Sequence, residues 1–194
     1  MKKPKIRGKI FVISSPSGGG KTSLSQKLLE RTPHLVRSIS MTTRRPRPGE
    51  VDSLDYYFVD DKEFAKIRRT AGFLECARVF NCYYGTPRKF VERAMREGDD
   101  VLLLIDVQGA SQVKKRRKEA VLIFVMPPSI EELKERLEKR AADSAGDIKK
   151  RLKVAQHEMN LRDRYDYVVE NRYLEKAVSH VEAIILAERL KVKK

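Results

Sequence analysis

Residues 15–22, Ser-Pro-Ser-Gly-Gly-Gly-Lys-Thr, impose the tightest constraint on this chain. They follow the apolar run Ile10, Phe11, Val12, Ile13 and lead into a stretch with Leu24 and Leu28 on one helical face. The pattern predicts a strand, a glycine-rich loop and a helix start. Such a loop wraps backbone N–H groups around phosphate oxygens, while Lys21 can reach the outer phosphates and the Thr22 hydroxyl can ligate Mg²⁺. The expectation is a bound nucleoside triphosphate, with Ser15, Pro16, Ser17, Gly18, Gly19, Gly20, Lys21 and Thr22 around its phosphates. The usual pattern opens on glycine; Ser15 is a small, mild departure. An ordinary glycine turn is the plain alternative, and the flanking strand and helix argue against it.

With 194 residues, 41% of them hydrophobic, the chain can bury one sizeable core and reads as a compact soluble protein. No apolar stretch reaches the roughly 20 residues needed to cross a bilayer, and the basic start, Lys2 to Lys9, has no signal-type apolar region. A cytoplasmic setting is therefore expected. Cys76 and Cys82 are too few for a disulfide framework and lack metal-ligand spacing, so they are read as ordinary reduced thiols. The 42 basic against 27 acidic side chains give +15, which suits polyanionic ligands. Nucleic acid would suit that charge too, but no helix-turn-helix, zinc or RNA-stacking signature accompanies it. The cluster Lys114 to Lys118 is read as a solvated helix end.

Near-continuous apolar runs at 9–14, 35–40, 101–106, 120–125 and 166–169 predict a parallel sheet covered on both faces by helices. Tyr56 to Val59, Phe73 to Phe80 and Tyr83-Tyr84 have the texture of short, half-exposed strands around a helix near 61–70, which predicts a small mixed subdomain inserted into the core. Thr86 is expected to cap a helix from Pro87 to Gly98, and Ser129 with Glu132 to form a capping box opening a helix to about Arg140. A second helix is expected from Asp147 to about Arg164, and a last one near 174–190. Two arginine-bearing helices joined by the small turn Ala141 to Gly146 have the makeup of a mobile lid. The organisation so read is a core at 1–37, 88–128 and 165–194, a subdomain at 38–87 and a lid at 129–164.

Downstream of the glycine loop come Ser38 through Glu50 (Ser-Ile-Ser-Met-Thr-Thr-Arg-Arg-Pro-Arg-Pro-Gly-Glu) and Asp55-Tyr56-Tyr57-Phe58-Val59. Phe73-Leu74-Glu75, Tyr83-Tyr84-Gly85-Thr86, Ile105-Asp106-Val107-Gln108-Gly109 and the arginines from Arg136 through Arg151 follow. In this order, from about Lys9 to Asn171, the motifs strongly resemble the guanylate kinase family. The fold implied is the P-loop NTPase type of α/β, with an inserted GMP-binding subdomain and a helical lid. The activity implied is transfer of a phosphoryl group from ATP to GMP, and to dGMP, with Mg²⁺.

Arg44 and Arg47, three apart, can converge as guanidinium forks on a phosphomonoester. By resemblance they hold the GMP phosphate together with the Tyr56 and Tyr84 hydroxyls. Glu75 is implied as the base reader, its carboxylate accepting from guanine N1–H and the exocyclic amine; adenine offers neither donor. Thr86 and Ser40 match base-pocket hydroxyls, with Thr86 expected to donate to guanine O6. Lys21, Arg44, Arg136, Arg140 and Arg151 are implied to neutralise the transferring group, since phosphoryl transfer is mostly positioning and charge stabilisation. Asp106 sits where a metal-orienting carboxylate near the acceptor is expected, with a sheet-end cap as the alternative, and Asn171 resembles an adenine-side contact to ATP. Three departures stand out: Leu104 where the family carries an acid, Arg172 where an acid follows the Asn, and a lid turn, Ala141-Ala142-Asp143-Ser144, without the common Gly-Thr start. A sugar-phosphate kinase on the same scaffold and a catalytically silent binding module are the rival readings.

Overall fold

The computed structural model describes residues 8–79, 81–139 and 145–192. In chain order the elements are β1 (Ile10–Ser14), α1 (Lys21–Arg31), β2 (Leu35–Arg37), β3 (Met41–Thr42), β4 (Tyr57–Phe58), α2 (Asp61–Arg69), β5 (Phe73–Val79) and β6 (Cys82–Pro87). There follow α3 (Arg88–Glu97), β7 (Asp100–Leu104), α4 (Val107–Arg116), β8 (Val121–Met126), α5 (Ile130–Glu138), α6 (Ala145–Met159), β9 (Tyr167–Glu170) and α7 (Leu174–Leu190). The strands make a five-stranded sheet of order β2-β7-β1-β8-β9 and a four-stranded sheet of order β4-β3-β6-β5. The first is parallel, as the uninterrupted apolar runs predict for strands buried on both faces. The expected α/β architecture with a parallel sheet flanked by helices is the one observed.

The chain divides into two compact units, one formed by His34–Ala120 with residues up to Ile10, the other by Phe11–Pro33 with Val121–Lys194. In the second unit, β1 pairs with β8 and β8 with β9. Phe11 and Phe124 are fully buried there, each contributing roughly 1.5–3 kcal/mol relative to an exposed side chain. Helix α5 opens as the capping box predicts, Ser129 Oγ accepting from Glu132 N at 3.1 Å, and its Leu133 and Leu137 pack with Ala155 of α6. In the first unit Phe64 of α2 stacks on Phe73 and Tyr83, at 4.5 and 5.5 Å between ring centres, and so fixes the small mixed sheet.

Four local expectations are corrected. The predicted strand 35–40 ends at Arg37, because the Ser38 N–H makes a last bond to the Leu102 carbonyl at 3.0 Å before the chain joins the other sheet at β3. Thr86 is not the cap of α3: it lies in β6, its hydroxyl turned to Glu75, and Pro87 stands at the cap position. Gly98, at φ 101°, ends that helix as expected. Helix α6 stops at Met159 rather than near Arg164, residues 162–164 forming a separate 3₁₀ turn. The basic cluster is not simply solvated: Lys114 Nζ donates to the Ala120 carbonyl at 2.7 Å, Arg117 meets Glu92 at 3.1 Å, and Arg116 donates to the Leu74 carbonyl. These cations secure the end of α4 and its neighbours, a role invisible without the fold.

Candidate nucleotide sites

The glycine loop leaves the buried end of β1 and turns tightly, Gly19 N donating to the Pro16 carbonyl at 2.9 Å. Gly20, at φ 92°, occupies the cap position of α1. No side chain caps that helix, and its first turn holds no acid. The positive dipole end of the helix is thus suited to an anion. Lys21 opens α1, half-buried, and Thr22 beside it is exposed.

Ser15, the departure from the usual pattern, is buried and its hydroxyl packs under the loop, where a Cβ on Gly19 would collide with it. Asn171 is 5% exposed, and its Nδ2 donates to the Gly19 carbonyl at 2.9 Å. A Cβ on Gly20 would strike the same amide. Asn171 therefore latches the loop from the end of β9, a role the motif alone did not disclose. Arg136 NH2 in turn donates to the Asn171 carbonyl at 3.2 Å and lies 3.4 Å from Glu132. Arg151 is half-buried on α6. Arg140 and the turn Ala141 to Ser144 lie outside the described residues.

In the other unit, Arg44 follows β3 and is gripped on three sides. Its Nε donates to Tyr84 Oη at 3.1 Å, NH2 to Glu50 Oε1 at 2.8 Å and NH1 to the Arg45 carbonyl at 2.7 Å. Its guanidinium carbon lies 5.5 Å from the centre of the Tyr56 ring, and that ring meets Tyr84 edge-on at 5.9 Å. Glu50 also accepts from Arg47 N at 2.7 Å. Burial opposes the Glu50 charge, yet the hydrogen bonds from Arg44 and the Arg47 backbone outweigh it and hold the carboxyl below its ordinary value. Burial similarly opposes the Arg44 charge, and its bonds to Glu50 and Tyr84 raise its pKa regardless. Glu50 orders this cluster, and the sequence pattern gives it no role of its own. Its only signal was an acid three residues beyond Arg47, at the end of the basic run. Tyr56, Tyr84 and Arg44 are thus brought together, whereas Arg47 is exposed and meets Glu50 through its backbone N–H and through its charge.

Glu75, on β5, is 2% exposed. Thr86 lies directly across on β6, and its hydroxyl donates to Glu75 Oε1 at 2.6 Å. The single hydroxyl proton of Thr86 is spent on this bond, so here Thr86 orients the carboxylate. Burial pushes the Glu75 carboxyl up to about 7; the Thr86 hydroxyl works against the shift and the Asp106 charge adds to it. Asp106 caps α4, its Oδ1 accepting from Gly109 N at 2.8 Å. A Cβ on Gly109 would fall 2.5 Å from Glu75 Oε2, so a side chain there would displace the carboxylate. Ser40 is buried beside β3, and its carbonyl accepts from Tyr57 N at 2.9 Å.

A glycine loop uncapped at a helix start, beneath it a parallel sheet, and elsewhere a buried acid beside an arginine–tyrosine cradle define a nucleotide-dependent kinase of the P-loop class. The guanylate kinase family model matches residues 7–188. The chain is 49% identical over 188 residues to the guanylate kinase of Wolbachia pipientis wMel, covering 96% of this chain and 94% of that one. It is 54% identical over 184 residues to the guanylate kinase of Thermus thermophilus, covering 95% and 83%. The crystal structure of guanylate kinase from Anaplasma phagocytophilum superposes with a TM-score of 0.83 at 39% identity, over 97% of this chain and 89% of that one. This chain belongs to the guanylate kinase family and is an enzyme of that family.

Proposed function

We propose that this enzyme moves the γ-phosphoryl group of ATP onto GMP, and equally onto dGMP, in a Mg²⁺-dependent reaction that yields ADP and the nucleoside diphosphate. The observation that carries the reading is Glu75, an acid 2% exposed whose charge burial and Asp106 both oppose. Such a carboxylate is costly unless a ligand brings donors to it. Guanine supplies two, at N1–H and the exocyclic amine; adenine presents a lone pair at N1. Thr86 and Gly109 support the geometry, one by donating to Glu75 and the other by leaving room for it. Arg44, Arg47, Tyr56 and Tyr84 are assigned to the acceptor phosphate, and Ser40 to the base pocket. Base and phosphate are common to GMP and dGMP, so these contacts serve both.

On the donor side, the loop from Ser15 to Thr22 is assigned to the ATP phosphates. Asn171 supports the loop through Gly19 rather than by touching adenine first. Mg²⁺ bound with ATP supplies charge neutralisation at the phosphate oxygens. The exposed Thr22 hydroxyl on the first turn of α1 suits that ion. Asp106, the other candidate ligand, has Oδ1 committed to the α4 cap. Lys21, Arg136, Arg140 and Arg151 are assigned to neutralise charge on the transferring group. The test is ADP formation with GMP, dGMP, AMP, UMP and ribose 5-phosphate as separate acceptors, with Mg²⁺ and with excess chelator. Turnover confined to the two guanine nucleotides and abolished by chelator is expected; equal turnover with AMP, or none with GMP, overturns the reading.

A further inference from the structure

β5, which carries Glu75, is an edge strand of its sheet, and its pairing with β6 is broken by a bulge: Phe73 and Glu75 oppose the adjacent residues Pro87 and Thr86, leaving Leu74 over. A bulge re-aims the side chains beside it, and an edge leaves outward N–H and C=O groups unpaired. Neither feature holds a carboxylate to a fixed position. Helix α4 does. Gln112 pairs with the Cys76 peptide twice, Cys76 N–H donating to Gln112 Oε1 at 3.3 Å and Gln112 Nε2 donating to the Cys76 carbonyl at 2.8 Å. One side-chain amide thus stands in for the missing neighbouring strand. One turn further along α4, Arg116 donates to the Leu74 carbonyl, and one turn before it Gly109 lies against Glu75 Oε2. Arg88 NH2 takes the Phe73 carbonyl at 3.2 Å. Residues 73, 74 and 76 around Glu75 are therefore each pinned from outside the sheet, and Gln112 satisfies both backbone groups of one residue.

We infer that Gln112 is a positioning residue for recognition of the acceptor base: by clamping the Cys76 peptide it sets where the adjoining Glu75 carboxylate meets the ligand's two donors. This rests on Glu75 being the base reader. Inosine monophosphate is the probe that separates the two ideas, since it keeps N1–H but lacks the exocyclic amine and so reports the second hydrogen bond alone. Discrimination is the ratio of kcat/KM for GMP to that for inosine monophosphate.

Gln112→Met keeps the side-chain length and removes both clamp bonds. It is expected to raise the KM for GMP about tenfold, the worth of one well-placed hydrogen bond, to lower discrimination several-fold by that same loss, and to leave the KM for ATP unchanged. In a Glu75→Gln background the same change should cost no further discrimination, because the carboxylate it positions is gone. Unchanged discrimination in Gln112→Met overturns the inference, as does an equal fall for both acceptors accompanied by a rise in the ATP KM, which is the mark of a general packing role. Should Gln112→Met not fold, Gln112→Asn, which keeps the amide one methylene short, is read by the same two criteria. If Glu75→Gln by itself leaves discrimination intact, the base-reader assignment fails, and the inference with it, on a measurement independent of Gln112.

Discussion

At the loop from Ser15 to Thr22 the groups offered to a ligand are main-chain N–H groups at the start of α1, and side chains act from behind: Asn171 on the Gly19 carbonyl, Ser15 beneath the turn. In the acceptor pocket the reverse holds. On the proposed assignment Glu75, Arg44, Tyr56 and Tyr84 themselves meet the ligand, and backbone pins such as those on Cys76 support them. The start of α1 presents partial positive charge, which suits any polyphosphate of suitable size. The pocket, on the same assignment, uses a buried acid to choose one base. Affinity for phosphate can be built from backbone, which is the same in every residue; discrimination between two purines needs a specific side chain held at a specific angle.

The contrast can be broken most severely at Lys21. Lys21→Met should lower kcat by on the order of 10³-fold or more, by analogy with loss of a cation at a transferring phosphoryl group, for every acceptor alike, with an unaltered thermal melt. A near-normal rate would remove the loop from the mechanism. Glu75→Gln comes next. Losing hydrogen bonds to a charged acceptor should cut kcat/KM for GMP roughly 10²-fold while ATP binding, measured by calorimetry, stays intact; equal loss of both would make Glu75 structural. Asn171→Ala tests the supporting role behind the loop. An unpaired Gly19 carbonyl should raise the ATP KM about tenfold and lower the melting temperature by a few degrees, leaving the GMP-to-inosine monophosphate ratio untouched.

The smallest expected effect is on pH. With its carboxyl raised from 4.5 to about 7, folded Glu75 keeps a proton that the unfolded chain has lost. Glu75 therefore destabilises the ligand-free enzyme progressively as pH rises from about 4.5 to 7, because the folded state binds more protons across that window. GMP binding runs the other way, since a double acceptor must be ionised. GMP affinity should fall about tenfold from pH 8 to pH 6. Glu75→Gln should abolish that part of the dependence, leaving only what the phosphate of GMP contributes. Titration by calorimetry in the two proteins checks both halves, and an identical pH profile in the variant would reassign the titrating group.

The parallel sheet, the loop and the capping box at Ser129 were legible in the sequence because each is local. Their signals are a continuous apolar run, a glycine triplet and two residues three apart, and the physics that forms them acts within one turn or strand. The acceptor residues were legible only as a resemblance among motifs. Thr86 shows why: beside Pro87 it reads as a helix cap, yet on the strand next to Glu75 it becomes a hydrogen-bond donor to a buried acid. Glu50 and Gln112 left no usable signal, since a surface acid and a helical amide are common, and Asn171 was legible by resemblance as a contact to ATP but not as the latch on Gly19. Their meaning lies in partners 6, 36 and 152 residues away. The amino-acid order by itself determined the elements and the phosphate loop, whose energetics depend on neighbours along the chain. Only the tertiary structure decided which carboxylate is buried, which amide closes an open strand edge and which basic side chains serve as ties, because burial and long-range hydrogen bonds exist only once distant segments are packed together.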